Sequence, residues 1–262
     1  MKIFSAQFLR PAALFCLFMA ILAISTHQRI YSRSWHEPLQ VTVYPINGDG
    51  TMATHNYIAR LQQQHFNQIN QWFTREAKRY SLPVQTPFNV TLGDQVKASP
   101  PQFPPNAGVI RTLLWGLHLR YWVYRNTPDA HSNLRRVRVF VVYQQGEDDV
   151  PLAHSIGLQK GLIGVVNAFS LDRQTEQNNI IIAHELLHTV GATDKYDTIG
   201  NPLYPIGYAN PGRSPLHPQR HAEVMAARVP LSTYSSRMAT SLRSTVINPV
   251  TAREIAWLEE SD

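Results

Sequence analysis

Two histidines four residues apart are the part of this sequence best suited to chemistry. The segment reads His184-Glu185-Leu186-Leu187-His188. On an α-helix, residues four apart lie on the same face, so both imidazoles can reach one ion about 2 Å away. Glu185 follows the first histidine without replacing it, and its carboxylate can take a proton from a metal-bound water. The spacing therefore predicts a metal site with Glu185 as the catalytic base.

A third ligand is expected shortly after the second histidine. Catalytic zinc takes three protein ligands and leaves a fourth position for water. Gly191 is suited to end the helix and turn the chain back, and Asp194 follows. We predict Asp194 as the third ligand. The alternatives are that Asp194 is a turn or capping residue, and that the two histidines are ordinary helix residues with satisfied hydrogen bonds.

The segment from His184 to Asp194 resembles the extended motif of the metzincin clan of zinc peptidases, His-Glu-x-x-His-x-x-Gly-x-x-His or Asp. Its final Asp is more similar to the snapalysin type than to most of the clan. The resemblance implies a Zn²⁺ cofactor, a peptide or protein substrate, and peptide-bond hydrolysis by attack of zinc-bound water assisted by Glu185. It also implies an extended substrate along an edge strand, for which Leu152–Leu158 is the candidate.

A methionine turn beneath the metal is a second feature of this clan. Met225, in the segment Glu223-Val224-Met225-Ala226, is the candidate by analogy. The alternative is an ordinary core methionine, since methionine commonly fills gaps in hydrophobic cores. The sequence departs from some clan members at Ala227, where they have a tyrosine two residues after the methionine.

Several other polar residues are weaker candidates for the site. The candidates for a tyrosine that assists catalysis are Tyr196, Tyr204 and Tyr208. The candidates for an additional ligand or a partner of a ligand are Asp197, His154, His217 and His221. The bland alternative for each of them is a structural residue, with Asp197 as an exposed turn carboxylate.

The pattern of apolar residues predicts the elements that must position these groups. Alternating or β-branched segments predict strands at Leu39–Ile46, Pro87–Gly93 and Val137–Tyr143, and a hairpin of Leu152–Leu158 with Leu162–Phe169. Helical spacing predicts helices at Thr54–Tyr80, at Gly108–Tyr124 and from Asn178 or Asn179 to Val190. A final helix is expected from Thr251, with Glu254 completing a capping box.

This order of elements predicts an α/β (α+β) fold, a mixed β-sheet with backing helices and an active-site helix. The proline-rich stretch Asn201–Pro218 predicts a small irregular C-terminal subdomain. We expect residues 1–25 to form a signal peptide or membrane anchor. Residues 26–191 would form the catalytic α/β subdomain, and residues 192–262 would hold the third ligand, the methionine turn and the final helix.

The N-terminus has the pattern of a secretory signal. Lys2 and Arg10 precede the apolar stretch Ala12–Ile24, and Ala23 and Ser25 are small residues at the positions that a signal peptidase would read. This favours export to a periplasmic or extracellular location, with tethering to a membrane by the N-terminal segment as the alternative. The chain has a single cysteine, Cys16, within that stretch, so no disulfide is expected in the exported part.

Composition narrows the class of protein. The chain has 24 Lys and Arg against 18 Asp and Glu, a modest net charge of +6, and its basic residues are scattered. No basic platform interleaved with aromatic residues is present, so no nucleic-acid partner is expected. The function predicted is that of a zinc metallopeptidase. The rivals are a zinc amidase or other zinc hydrolase of the cell envelope, and a non-catalytic binding protein stabilised by zinc.

Overall fold

The structure is a computed structural model that describes residues 30–104, 108–127, 136–146, 155–158 and 162–259, with six isolated positions before residue 30. It contains a five-stranded sheet in the order β2-β1-β3-β5-β4. The strands are β1 (Leu39–Asn47), β2 (Phe88–Leu92), β3 (Val137–Gln144), β4 (Ile156–Leu158) and β5 (Ile163–Phe169). The first four in that order are parallel, and only the edge strand β4 is antiparallel to its neighbour. The predicted mixed sheet is confirmed.

Helices cover both faces of this sheet. They are α1 (Met52–Ala59), α2 (Asn67–Arg79), α3 (Val109–Asn126), α4 (Thr175–Thr189) and α5 (Pro249–Glu254). The side chains of β3 divide by alternation: Val139 and Val141 enter the core shared with α1, α2 and α4, whereas Phe140 enters the core beneath α3. The α4 helix packs on the larger core, so the helix that carries the predicted metal ligands is fixed by that core.

The single helix predicted at Thr54–Tyr80 is wrong. The chain forms α1, then a 3-10 turn at Gln63–Phe66, then α2. The break places Gln63 against strand β2. The side-chain amide of Gln63 donates to the Val90 carbonyl at 2.9 Å and accepts from the Leu92 N–H at 2.8 Å. No Gly or Pro marks the break, and the apolar spacing continues through it, so the pattern gives no sign of it.

Two predicted helix starts are also wrong. The α4 helix begins at Thr175, and Asn178 lies inside it with its side chain bridging both backbone groups of Phe169 at the end of β5. The last helix begins at Pro249 after an Asn248 cap, and Thr251 and Glu254 form no capping box. Their side chains instead reach back to earlier parts of the chain, to Glu223 and to Thr193.

The stretch Asn201–Pro218 contains no helix or strand, as predicted, but the residues after it form short strands. Short strands β6 (Ala222–Glu223) and β9 (Thr245–Val246) pair in parallel, and β7 (Arg228–Pro230) and β8 (Ser236–Met238) pair antiparallel. These strands are two or three residues long, below the length at which alternation is visible. The predicted division near residue 191 stays a prediction.

No helix in the described ranges is long and apolar enough to cross a membrane. The predicted signal segment, residues 1–25, lies almost wholly outside those ranges.

Candidate metal centre

The α4 helix holds His184 and His188 on one face at the edge of the larger core. Its apolar residues Ile180, Leu186 and Leu187 are completely buried and fix the rotation of the helix on the sheet. The histidine side chains are only 10% and 17% exposed. The packing of the apolar face of α4 on the sheet therefore sets the direction in which both imidazole rings point.

Backbone carbonyls fix the orientation of both rings. His184 Nδ1 lies 3.1 Å from the Val224 carbonyl, and His188 Nδ1 lies 2.8 Å from the Ala192 carbonyl. A carbonyl oxygen only accepts hydrogen bonds, so each Nδ1 must carry the proton. The Nε2 lone pairs are therefore left facing outward from the helix, as metal ligation requires.

Asp194 completes a triangle of ligand atoms. Its Oδ1 lies 3.0 Å from His184 Nε2 and 3.1 Å from His188 Nε2, and the two nitrogens are 3.0 Å apart. Three atoms bound to tetrahedral zinc at 2.0 to 2.1 Å would be roughly 3.3 Å apart. Three lone-pair atoms this close need a cation or a shared proton between them. The residues present therefore fit a zinc ion.

The electrostatics of the centre agree with that geometry. Burial lowers the pKa of His184, but the Asp194 hydrogen bond and the Glu185 charge outweigh it, so the net shift is upward. Burial raises the pKa of Asp194, yet its hydrogen bonds to the two histidines reverse this and hold it well below its usual range. The site is built around a carboxylate and favours positive charge among the three ligand atoms.

Gly191 gives the chain the turn it needs between the helix and Asp194. Its φ of 111° lies in the region that favours glycine. The amide N–H of Ala192 returns to the Leu187 carbonyl at 3.0 Å, which closes the helix end. This turn brings Asp194 back over the face that carries the histidines.

A second carboxylate holds the loop that carries Asp194. Glu254, on α5, accepts hydrogen bonds from the backbone N–H and hydroxyl of Thr193 at 3.0 and 2.7 Å. It also pairs with Lys195 Nζ at 2.7 Å, and the Lys195 side chain is completely buried. The residues on both sides of Asp194 are thus fixed by one side chain. We call Thr193, Lys195 and Glu254 the loop clamp.

The turn containing Met225 lies against the ligands. The Val224 carbonyl accepts from His184, and Lys195 N–H donates to the Met225 carbonyl at 3.1 Å. Met225 is fully buried. The buried carboxylate of Glu223 receives the N–H groups of Met225 and Ala226 at 2.5 and 3.1 Å, and the Thr251 hydroxyl donates to it at 2.7 Å. Burial raises the pKa of Glu223 to about 7.

The edge strand β4 passes directly over Glu185 and His188. A Cβ atom at Gly157 would lie 2.5 Å from His188 Cβ, 2.6 Å from the Glu185 carbonyl and 3.0 Å from Glu185 Oε2. Only glycine permits this approach. Glu185 also offers a carboxylate oxygen within 4.8 Å of a ring nitrogen of each histidine. The catalytic base predicted from sequence therefore lies between the strand and the ligand triangle.

A cavity of about 400 Å³ opens beside the triangle. His184, Glu185 and Tyr196 line one end of it, and its other walls are largely apolar, including Phe169, Ile180, Ile181 and Met238. The Tyr196 ring stacks on His184, with centroids 6.4 Å apart. Burial and then the Asp194 charge raise the pKa of Tyr196 to about 12, so the phenol stays protonated and can donate to Asp194.

The remaining candidates lie away from the triangle. Asp197 accepts two backbone N–H groups of its own turn, from Ile199 and Asn201. His217 bonds the Tyr208 hydroxyl, and Tyr204 is 60% exposed. His221 lies in a separate cavity. Residue 154, and with it the start of the predicted strand Leu152–Leu158, falls outside the described ranges.

Three residues that shape the site were missed by the sequence analysis, namely Gly157, Glu223 and Glu254. Gly157 does stand between Ile156 and Leu158 in a short apolar segment, where an isolated glycine signals close backbone approach. The two glutamates carry no comparable signal, because their partners are far away in sequence.

No family model and no curated protein matches the chain. Among solved structures, it is similar to catalytically inactive OgpA from Akkermansia muciniphila, determined in complex with an O-glycopeptide substrate, glycodrosocin. The identity is 13%, the TM-score is 0.37, and the match covers 84% of this chain and 59% of that one. The chain thus spans about three fifths of its length, and so distant a likeness leaves the function to be argued from the site itself.

Proposed function

We propose that the protein is a zinc-dependent peptidase of the metzincin type. The observation that carries the proposal is the triangle of His184 Nε2, His188 Nε2 and Asp194 Oδ1, with sides of 3.0 to 3.1 Å and Glu185 beside it. Three ligands leave one coordination position open, whereas structural zinc sites usually close with four protein ligands. This favours catalysis over the rival reading of a zinc-stabilised binding protein.

The chain's own residues supply the rest of the chemistry. When bound, zinc would polarise the scissile carbonyl and acidify a coordinated water. Glu185 takes the proton from the attacking water and delivers it to the leaving amine. The Val224 and Ala192 carbonyls keep the histidine Nε2 atoms aimed at the site, and Tyr196 steadies Asp194. Each of these groups is held by contacts independent of substrate.

The surroundings of the triangle suit an extended peptide. The edge strand β4 is hydrogen-bonded to β5 on one side, and it lies directly over Glu185. An extended chain can add to such an edge by backbone hydrogen bonds. The neighbouring cavity, with apolar walls at Phe169, Ile180 and Met238, would accept an apolar substrate side chain next to the scissile bond. A zinc amidase acting on envelope peptides would use the same metal chemistry.

We also propose that the protein acts outside the cytoplasm. The support is the basic start and the apolar stretch Ala12–Ile24. Immunoblotting of cell fractions, with and without the first 25 residues, tests this. Retention of the full-length protein in the cytoplasm would contradict it.

The experiment for the peptidase proposal replaces the base alone. Glu185→Gln should retain zinc and lose hydrolysis of a peptide library by at least about a hundredfold, the range expected for a general base. Glu176→Gln, an exposed glutamate on the same helix, is the matched control and should leave turnover unchanged. Proteomic identification of fragments made by wild type and absent with Glu185→Gln would also define the cleavage preference. Equal turnover of wild type and Glu185→Gln would refute the proposal.

A further inference from the structure

A second, larger cavity of about 960 Å³ is strongly basic. Its walls carry five arginines and one histidine. They are Arg75, Arg79, Arg213, Arg220, Arg243 and His221. We call this the arginine cavity. None of its lining residues lines the cavity beside the ligand triangle, so it is a separate site.

Glu76 is the one acid among the described residues that line the cavity, and its charge is already neutralised. Glu76 is completely buried and pairs with both Arg75 and Arg79. Its carboxylate also accepts the Ile247 N–H at 3.0 Å. Glu76 therefore offers no charge to the cavity, while Arg75 and Arg79 remain 44% exposed. The other three guanidinium groups that line the cavity have no carboxylate partner among the described residues.

Those three arginines differ in how they are held. Arg213 is braced by the carbonyls of Pro215 and Pro218. Arg220 and Arg243 are exposed and make no ion pair within the described ranges. Like charges gathered around one concavity repel one another and raise the local positive potential. An anion bound among these groups would relieve that repulsion.

We propose that the arginine cavity binds a polyvalent oxyanion of the sulfate or phosphate type. Guanidinium groups match tetrahedral oxyanions because they donate parallel N–H bonds in a rigid fork. Arg75 and Arg79 are fixed by Glu76 and supply a rigid wall, and Arg220 and Arg243 supply donors that no described residue uses. The volume exceeds what a single small ion needs, so an anionic group carried on a larger molecule also fits.

The direct test is calorimetric titration of the full-length protein at constant ionic strength. Sulfate is the first probe, because pyrophosphate would also chelate a metal at the other site. Wild type should bind at one saturable site, and the double variant Arg220→Gln/Arg243→Gln should bind at least about tenfold more weakly. The control Arg111→Gln removes an exposed arginine on α3, outside the cavity, and should bind like wild type.

Two further arms distinguish the source of the anion. Tighter binding of inorganic phosphate would assign a free ion, and tighter binding of a sulfated disaccharide would assign a group on a glycan. Either result supports the proposed site, provided that the double variant binds the same anion more weakly than wild type does. Arg75 and Arg79 are left intact, because removing them would leave buried Glu76 uncompensated. Melting curves must show that the double variant folds.

Absence of saturable binding by wild type would overturn the proposal. So would equal weakening by Arg111→Gln and by the double variant, since that pattern indicates general attraction to a basic protein. Sulfate should also raise the melting temperature of wild type and Arg111→Gln more than that of the double variant, which keeps only the general effect of the salt.

Discussion

The sheet with its helices and the segment after Gly191 share one hydrophobic core, but they differ in regular structure and in the role of buried polar groups. In the first region, strands such as β3 and helices such as α4 bury long runs of valine, isoleucine and leucine. In the second, the strands have two or three residues, and much of the positioning comes from the buried side chains of Lys195 and Glu223 and from the partly exposed Glu254. Of the three ligands, His184 and His188 belong to the first region and Asp194 belongs to the second.

The difference matters because apolar burial tolerates small changes, whereas a buried charge does not tolerate loss of its partner. We therefore expect substitutions in the second region to disturb the third ligand more than their distance from it suggests. The predictions below test this contrast, from the largest expected effect to the smallest.

Loss of the loop clamp should have the largest effect. Glu254→Gln leaves the buried Lys195 ammonium without its ionic partner, which should lower the free energy of unfolding by about 3 kcal/mol. It also removes one of the two acceptor oxygens that hold Thr193 next to Asp194, so zinc affinity should fall at least about tenfold. Urea denaturation and zinc competition measure the two effects. The exposed Glu259→Gln is the matched control, and an equal response of both variants would contradict the clamp.

Glu223 should make stability depend on pH. Its pKa is about 7 in the folded protein against an ordinary value of 4.5, so the folded state holds the proton more tightly. This contribution is fully present below pH 4.5 and is lost as pH rises toward and past 7, a fall of about 3 kcal/mol. The unfolding free energies of chelator-treated wild type and Glu223→Gln should be measured by urea denaturation at a series of pH values. The difference between the two proteins should show this dependence on pH. A difference that is flat with pH would rule out the buried, proton-holding carboxylate.

In the first region, the position to test is a close approach between β4 and α4. Gly157→Ala places a methyl group against His188 and Glu185, and should cost about 1 to 3 kcal/mol of stability and most of the activity. Gly164→Ala is the matched control. Gly164 pairs with Gly157 across the ladder, but a Cβ there meets nothing nearer than 3.6 Å. Comparable losses in both variants would show that β4 does not lie against the helix in this way.

Tyr196→Phe should have the smallest effect. It removes a phenol that donates to Asp194 but keeps the ring stacked on His184, so about 1 kcal/mol of zinc affinity should be lost. The exposed Tyr204→Phe should change nothing. If Tyr196→Phe bound zinc as tightly as wild type, the phenol hydroxyl would have no role in holding Asp194 for zinc binding.

Local spacing explains why part of this site could be predicted from the sequence. His184, Glu185 and His188 belong to one helix, and their relation follows from helical geometry alone. Asp194 required only a short turn at Gly191. Elements with long apolar patterns, such as the strand Val137–Tyr143, could likewise be predicted from the periodicity of their apolar residues.

What could not be predicted depends on contacts between distant residues. Glu254 lies 61 residues from Thr193 and looked like part of a capping box, because the local pattern of Thr251 and Glu254 fits one. The break between α1 and α2 follows from Gln63 binding β2, a tertiary contact that overrides an unbroken apolar pattern. His221 was a ligand candidate by residue type, yet the fold carries it to the arginine cavity.

The most direct test of the central claim is the metal content of the purified protein, measured by inductively coupled plasma mass spectrometry. We predict about one zinc ion per chain in wild type and near zero in His188→Ala. The exposed His55→Ala is the matched control and should keep its zinc. A wild-type protein that takes up no zinc after reconstitution, or a His188→Ala variant that retains it, would contradict the claim that His184, His188 and Asp194 form a metal centre.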